Sequence, residues 1–228
     1  MGPALVRVVL TREHGYNDSL RALVPDGAEV VEVPLTETAY FERDDVARSL
    51  AALGVVFETL VVTSARSEPY LRLTAGVLSS DAEVFSVGAA TTRALMSYGL
   101  RVTGEAAHTS HELSGLITRG PVLLLGAKAM RDELGEALDK RGLRIERVAC
   151  YETVPVLPDA AGAAALRDAH VVFIGAPSAW RAAQVFIANT TWVVVPGPTT
   201  AAVVRAQHER VIEGWEPTLR DTLAALEP

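Results

Sequence analysis

Three observations predict an α/β fold made of two similar, doubly wound parallel-sheet domains. Apolar strands alternate with helical segments along the whole chain, the pattern of parallel sheets joined by crossovers. The run Val84–Thr91 is answered by Val193–Thr200, each an apolar strand leading through Gly-x-x-Thr into an alanine-rich helix. The offset between the copies is constant at 109 residues (197 − 88, 200 − 91, 218 − 109), and at Thr109 and Thr218 each copy is expected to begin a further helix. A third pair, Leu60–Ser67 and Val172–Ser178, places another strand and small-residue turn upstream of each copy. Duplication of a unit this size implies two units with a core each, and a ligand cleft between them is the expectation.

The elements follow in order. Leu5 to Thr11 is predicted as the first strand, apolar enough to be buried on both faces, with a polar turn Arg12–Asn17 and a helix over Asp18–Leu23 behind it. Val30–Val33 is the second strand, ended by Pro34, which cannot donate to a ladder. Phe41–Leu53 is a helix and Glu58–Val62 a strand, followed by the strands Val84–Val87 and Val122–Leu125. Ala129–Arg141 is expected to be helical and stopped by Gly142, with Arg144–Ala149 the next strand. The strands Val171–Ile174 and Val193–Val195, each with a helix after it, complete the chain.

Strand counts predict how the chain is shared between domains. The first two strands make an incomplete sheet, and the tail from about Pro158 is also short of strands. Residues 1–35 joined to 157–228 make one domain of sensible size, and 36–152 make the other. Connectors near 34–36 and 152–156, marked by Pro34 and Pro155, are then a two-stranded hinge.

Composition narrows the class of function. Hydrophobic residues at 49% and charged ones at 21% describe an ordinary globular chain. No apolar run approaches a membrane span and the opening residues enter a strand directly, so no membrane partner and a cytoplasmic location are expected. Cys150 is the single cysteine, which permits no internal disulfide and no cysteine zinc cage. His108 and His111 lack nearby ligands, so no metal is expected. A net charge of −7 argues against nucleic acid, and an anionic ligand must be held by local devices.

These residues carry a resemblance. Thr11-Arg12 after the opening strand, Val33-Pro34-Leu35, Val62-Thr63-Ser64-Ala65 and Val87-Gly88-x-x-Thr91 resemble the uroporphyrinogen-III synthase family. So do Leu123-Leu124-Leu125-Gly126 through Arg131 and Leu134 to Val148-x-x-Tyr151-x-Thr153, then Pro177-Ser178 and Gly197-Pro198-Thr199-Thr200, in order across nearly the whole chain. The resemblance implies an enzyme that closes a linear tetrapyrrole, hydroxymethylbilane, into uroporphyrinogen III, inverting the last ring and losing water without a cofactor. It implies two α/β domains on a two-stranded linker, and a monomer is expected.

Every pyrrole of such a substrate carries acidic side chains. Strand-to-helix turns present backbone N–H groups and helix N-termini that bind carboxylates without basic side chains. The candidate binding residues are Thr63, Ser64, Gly88 and Thr91 in one domain and Ala176, Ser178, Gly197, Thr199 and Thr200 in the other. Arg12, Lys128 and Arg131 are candidates for steering carboxylates, although arginines at helix ends also serve surfaces alone. Tyr151, at the hinge, is the candidate proton donor to the leaving hydroxyl, against the alternative of a tyrosine that packs the linker. Two departures stand out: Gly175-Ala176 where the family often has Thr-Ser, and Arg66 where it often has a small amide. They keep open a catalytically silent relative that binds a tetrapyrrole or another small anion, and a two-domain binding protein of the periplasmic type is a further alternative.

Overall fold

The computed structural model describes residues 6–106, 110–130, 132–215 and 219–225. Its strands are β1 (Arg7–Leu10), β2 (Glu29–Glu32), β3 (Thr36–Tyr40), β4 (Phe57–Val62), β5 (Leu78–Val87), β6 (Gly104–Ala106), β7 (Val122–Ala127), β8 (Ile145–Pro155), β9 (Val171–Phe173), β10 (Trp192–Val195) and β11 (Val211–Glu213). Its α-helices are α1 (Asp18–Arg21), α2 (Arg43–Ala52), α3 (Leu71–Thr74), α4 (Ala89–Ser97), α5 (Glu133–Asp139), α6 (Ala160–Arg167), α7 (Pro177–Ala183), α8 (Pro198–Arg205) and α9 (Leu219–Ala224). The chain divides into two compact units, residues 1–37 with 154–228 and residues 38–153.

The first unit holds a five-stranded sheet in the order β2-β1-β9-β10-β11, with every pairing parallel. Its central strands are apolar on both faces because helices cover both. Leu20 and Val24 pack with Leu219 and Leu223 over one face, while Leu166, Trp180, Ala183 and Val204 from α6, α7 and α8 cover the other.

The second unit holds the sheet β3-β8-β7-β4-β5-β6, parallel from β8 to β6. Val46, Leu50, Leu71 and Leu95 pack over one face, and Leu113, Ile117, Leu134 and Leu138 over the other. Laying β7 on β1, β8 on β2 and β4–β6 on β9–β11 superimposes the two strand orders. The units therefore share a sheet topology, but the chain enters each at a different point, which is why the sequence repeat covers only the β4–β6 and β9–β11 portions.

Several elements differ from the sequence expectation. Residues 36–40, of which Thr36 is expected to end a connector and the rest carry no predicted element, form the edge strand β3 beside β8. Phe41 N–H donates to Cys150 O at 3.0 Å and Val156 N–H to Leu35 O at 2.9 Å, so this pair runs antiparallel. The strand expected over Arg144–Ala149 continues to Pro155 for the same reason: its second half has β3 as a partner. The helix expected from Ala129 begins only at Glu133, with Asp132 at its N-cap position and acidic Glu133 and Glu136 in its first turn, where the helix dipole favours negative charge. It ends before Gly142, whose φ of +76° is the left-handed conformation of a helix stop. Thr109, Thr218, His108 and Arg131 lie outside the described residues. No helix among the described residues is long and apolar enough to cross a membrane.

Candidate functional site

In open parallel sheets ligands bind beyond the carboxyl ends of the strands, where neighbouring strands send their connections to opposite faces. In the first unit that place is between β1 and β9, because the β1 connection crosses one face and the β9 connection the other. In the second unit it is between β4 and β7. The turns there contain Arg12 and Gly175–Ser178 in the one, and Thr63, Ser64 and Lys128 in the other.

Thr11, directly after β1, is buried and its Oγ1 donates to Phe173 O at 2.5 Å, tying the ends of β1 and β9 together. That leaves Arg12 to leave the sheet plane. Its guanidinium carbon lies 4.5 Å from the centre of the Trp215 ring, and Nη1 donates to Ser19 Oγ at 3.3 Å. Asn17 Nδ2 donates to Arg12 O at 3.2 Å and fixes the turn backbone. A Cβ on Gly175 would stand 3.6 Å from the Trp215 ring, so the β9 turn meets the same indole. Ala176, at the N-cap position of α7, and Ser178, in its first turn, are half-buried, and Pro177 opens the helix.

Gly197 is the N-cap residue of α8 with an extended backbone, φ 175°, and nothing stands within 4 Å of where a side chain would begin. The helical hydrogen bonds begin with Ala201 N–H to Gly197 O at 3.0 Å, which leaves the Thr199 and Thr200 amides outside the ladder. Thr199 is exposed, whereas Thr200 is buried and directs its side chain into the core.

The second unit repeats this with a difference. Gly88, the N-cap residue of α4, has φ +77°, a conformation that favours glycine, and its N–H donates to Ala106 O at 2.8 Å. Thr91 is buried in the first helical turn like Thr200. The hydroxyl at the turn mouth belongs instead to Thr92, which sequence reasoning missed: Thr92 Oγ1 is 2.7 Å from Ser86 Oγ and donates to Glu105. Ser64 caps the 3-10 segment Ala65–Tyr70 by accepting from Arg66 N–H at 3.3 Å. Thr63 lies against Gly126, where a Cβ would fall 2.6 Å from its Oγ1. Gly126 therefore serves the close approach of the β4 and β7 ends, and two residues on the Lys128 ammonium pairs with Glu152 at 3.1 Å.

Tyr151 is buried, 4% exposed, in the aromatic part of the second unit's core. The ladder between β7 and β8 slips between Gly126 and Ala127, so Cys150 is the extra residue of a bulge. Val148 and Cys150 face the core by ordinary alternation, and the bulge brings the next residue, Tyr151, to that same core. Its ring centre is 6.3 Å from that of Tyr40, which is half exposed on β3. Cys150 Sγ donates to Gly126 O at 3.4 Å, and burial pushes its thiol up to about 11.

Three of the described histidines have structural partners. His14 pairs with Glu32 at 3.0 Å, His170 Nδ1 accepts from Arg7 N–H at 2.9 Å, and buried His208 meets Thr191 O at 2.8 Å. Among the described residues no group of three or more His, Cys, Asp or Glu side chains is placed to share a metal. A cavity of about 450 Å³ in the first unit, lined by Val31, Pro34, Leu157 and Ala165 among others, contains none of the predicted site residues.

Comparison with known proteins gives consistent findings. The family model described as uroporphyrinogen-III synthase HemD matches residues 18–223. No curated protein matches the sequence. The structure is similar to that of uroporphyrinogen-III synthetase from Helicobacter pylori, with a TM-score of 0.60 and 17% identity over 96% of this chain and 98% of that one. It is also similar to a mutant uroporphyrinogen III synthase from Thermus thermophilus, with a TM-score of 0.56 and 18% identity over 96% of each chain. At these identities the two structures speak for the fold.

Proposed function

We infer the reaction from the family: this chain belongs to the uroporphyrinogen-III synthase family, and it closes hydroxymethylbilane into uroporphyrinogen III with inversion of the last pyrrole ring and loss of water. It is a hydro-lyase of tetrapyrrole biosynthesis. The observation that carries this reading is the family match over nearly the whole chain, and the doubly wound sheets are the scaffold it requires.

The chemistry suits so sparse a site. Loss of the hydroxyl as water leaves a cation stabilised by the pyrrole itself, so the protein mainly holds the chain in the shape that closes correctly. Backbone amides at the turns beginning at Gly88 and Gly197, with Thr63, Ser64, the Gly175–Ser178 turn, Arg12 and Lys128, are proposed to hold the substrate carboxylates. The open space over Gly88 and Gly197 supports this, because a carboxylate can reach the amides unobstructed. Tyr151 is proposed to give the proton that the departing hydroxyl needs; its support is its place beside the β7 turn, where its carbonyl accepts from Lys128 N–H at 2.8 Å. A monomer working in the cytoplasm completes the proposal; the buried free thiol of Cys150 suits the reducing compartment.

The test supplies freshly made hydroxymethylbilane and resolves the isomers of the product. The bilane closes unaided to isomer I, so an excess of isomer III is the expected result. Isomer I alone, from well-folded protein, would overturn the reading and leave a silent binder.

A further inference from the structure

We propose that Trp215 and Arg12 form one carboxylate-binding clamp at the carboxyl end of the first unit's sheet, with Trp215 the residue that positions the arginine. Trp215 has no role in the family resemblance. It follows β11 through Gly214, whose φ of +106° turns the chain sharply. From there the indole reaches back across the sheet: β11 and β9 lie two strands apart, ~10 Å, yet the ring centre is 6.4 Å from that of Phe173 on β9 and abuts Gly175 just beyond it. Arg12 arrives from the far side, after β1, and lies over the ring at 4.5 Å. Two side chains from strands at different places in the sheet thus converge at the β1/β9 crevice.

The contact is more than filler. A guanidinium stacked on an indole keeps its planar donor fork in one orientation, the arrangement that binds a carboxylate in two parallel hydrogen bonds. The ring itself is fixed by Phe173 and by the room that Gly175 leaves. The indole carries a second sign of an absent partner: its Nε1 is buried and finds no hydrogen-bond partner among the described residues. A buried N–H left unbonded is destabilising, and a hydrogen bond from it to an acidic ligand relieves that. The clamp therefore takes a carboxylate of an acetate or propionate side chain, with the guanidinium supplying charge and Trp215 supplying orientation. This rests on the synthase reading for the identity of the substrate, but the clamp's anion chemistry stands on the geometry.

The test is a double-mutant cycle over Arg12→Lys and Trp215→Leu, with Trp215→Phe as a fourth variant that keeps a flat ring and loses the N–H. Each protein is titrated calorimetrically with a monopyrrole carrying one acetate and one propionate side chain, and its thermal unfolding is recorded. Trp215→Leu is expected to weaken binding about tenfold, Trp215→Phe about threefold, and the double variant no more than the worse single, because lysine gains nothing from the ring. In turnover the same changes raise KM while kcat stays within about twofold. Failure of the parent to bind the monopyrrole, multiplicative losses in the double variant, or an unchanged KM in folded Trp215→Leu would each overturn the clamp. Isomer analysis of the parent's product judges the synthase reading separately, so neither failure passes for the other.

Discussion

Cys150 and Tyr151 are neighbours in one strand yet face the same core, an arrangement that regular alternation forbids and the bulge permits. The pair yields two predictions that pull apart chemistry and packing. Tyr151→Phe retains the ring and its contact with Tyr40, so the variant folds; with the proposed proton donor gone, formation of isomer III falls by about 10²-fold. A folded variant with unchanged rate would make Tyr151 a packing residue. Cys150 acts on stability alone. Burial lifts its thiol from 9.0 to about 11, so between those values the unfolded chain has lost a proton that the folded chain keeps. The thiol's contribution is thus complete below pH 9 and is lost as pH rises towards about 11, on the order of 1 kcal/mol per unit. Cys150→Ala should flatten that part of the pH–stability curve, as read by denaturant unfolding. A slope identical to the parent's would contradict the burial argument.

At the scale of elements, the two Gly-x-x-Thr turns look identical in sequence and differ in backbone. Gly88 has φ +77° and ψ 145°, a combination close to the glycine-only region that costs an L side chain about 1–3 kcal/mol, whereas Gly197 is extended and needs no glycine for conformational reasons. Gly88→Ala should therefore lower unfolding stability by about 1–3 kcal/mol. Gly197→Val should leave stability within ~0.5 kcal/mol, yet place a branched side chain over the proposed carboxylate site and cut kcat/KM more than about tenfold. Equal stability losses at both would show that the α8 turn is as constrained as the α4 turn. Ala176→Pro is a poorer probe, since Ala176 has φ −156° and proline requires about −65°. The same turns show what was legible in the sequence. Strands such as Leu123–Leu125 and Val193–Val195 announce themselves because burial on both faces demands unbroken apolar runs. β3, with the sequence Thr-Glu-Thr-Ala-Tyr, does not, since an edge strand has one partner and tolerates polar residues. The buried state of Thr91 and Thr200 was equally hidden, because a threonine at that position reads alike as a helix cap or a core residue. Trp215 escaped notice because its function depends on Arg12 and Gly175, which lie far away in sequence and meet it only through the strand order.

For the whole molecule the question is how an acidic protein takes up a polyacidic substrate. Net charge is −7, and among the described residues two cations near the sheet ends are already engaged: Arg12 lies on an indole and Lys128 pairs with Glu152. At ~10 mM ionic strength the screening length is about 30 Å, so an approaching bilane feels the net negative charge; at physiological salt it is about 8 Å and only nearby groups act. Long-range repulsion and short-range attraction thus respond oppositely to salt. Backbone amides and a stacked guanidinium act at contact distance and are screened least. The expectation is that kcat/KM rises severalfold between low and physiological ionic strength and then levels off, while kcat barely moves, because the chemistry follows binding. Lys128→Gln should leave that rise in place, since its ammonium is already paired. A steady fall of kcat/KM with salt, measured by initial rates of isomer III formation, would mean that a local basic field steers the substrate in and that amides and the clamp are secondary.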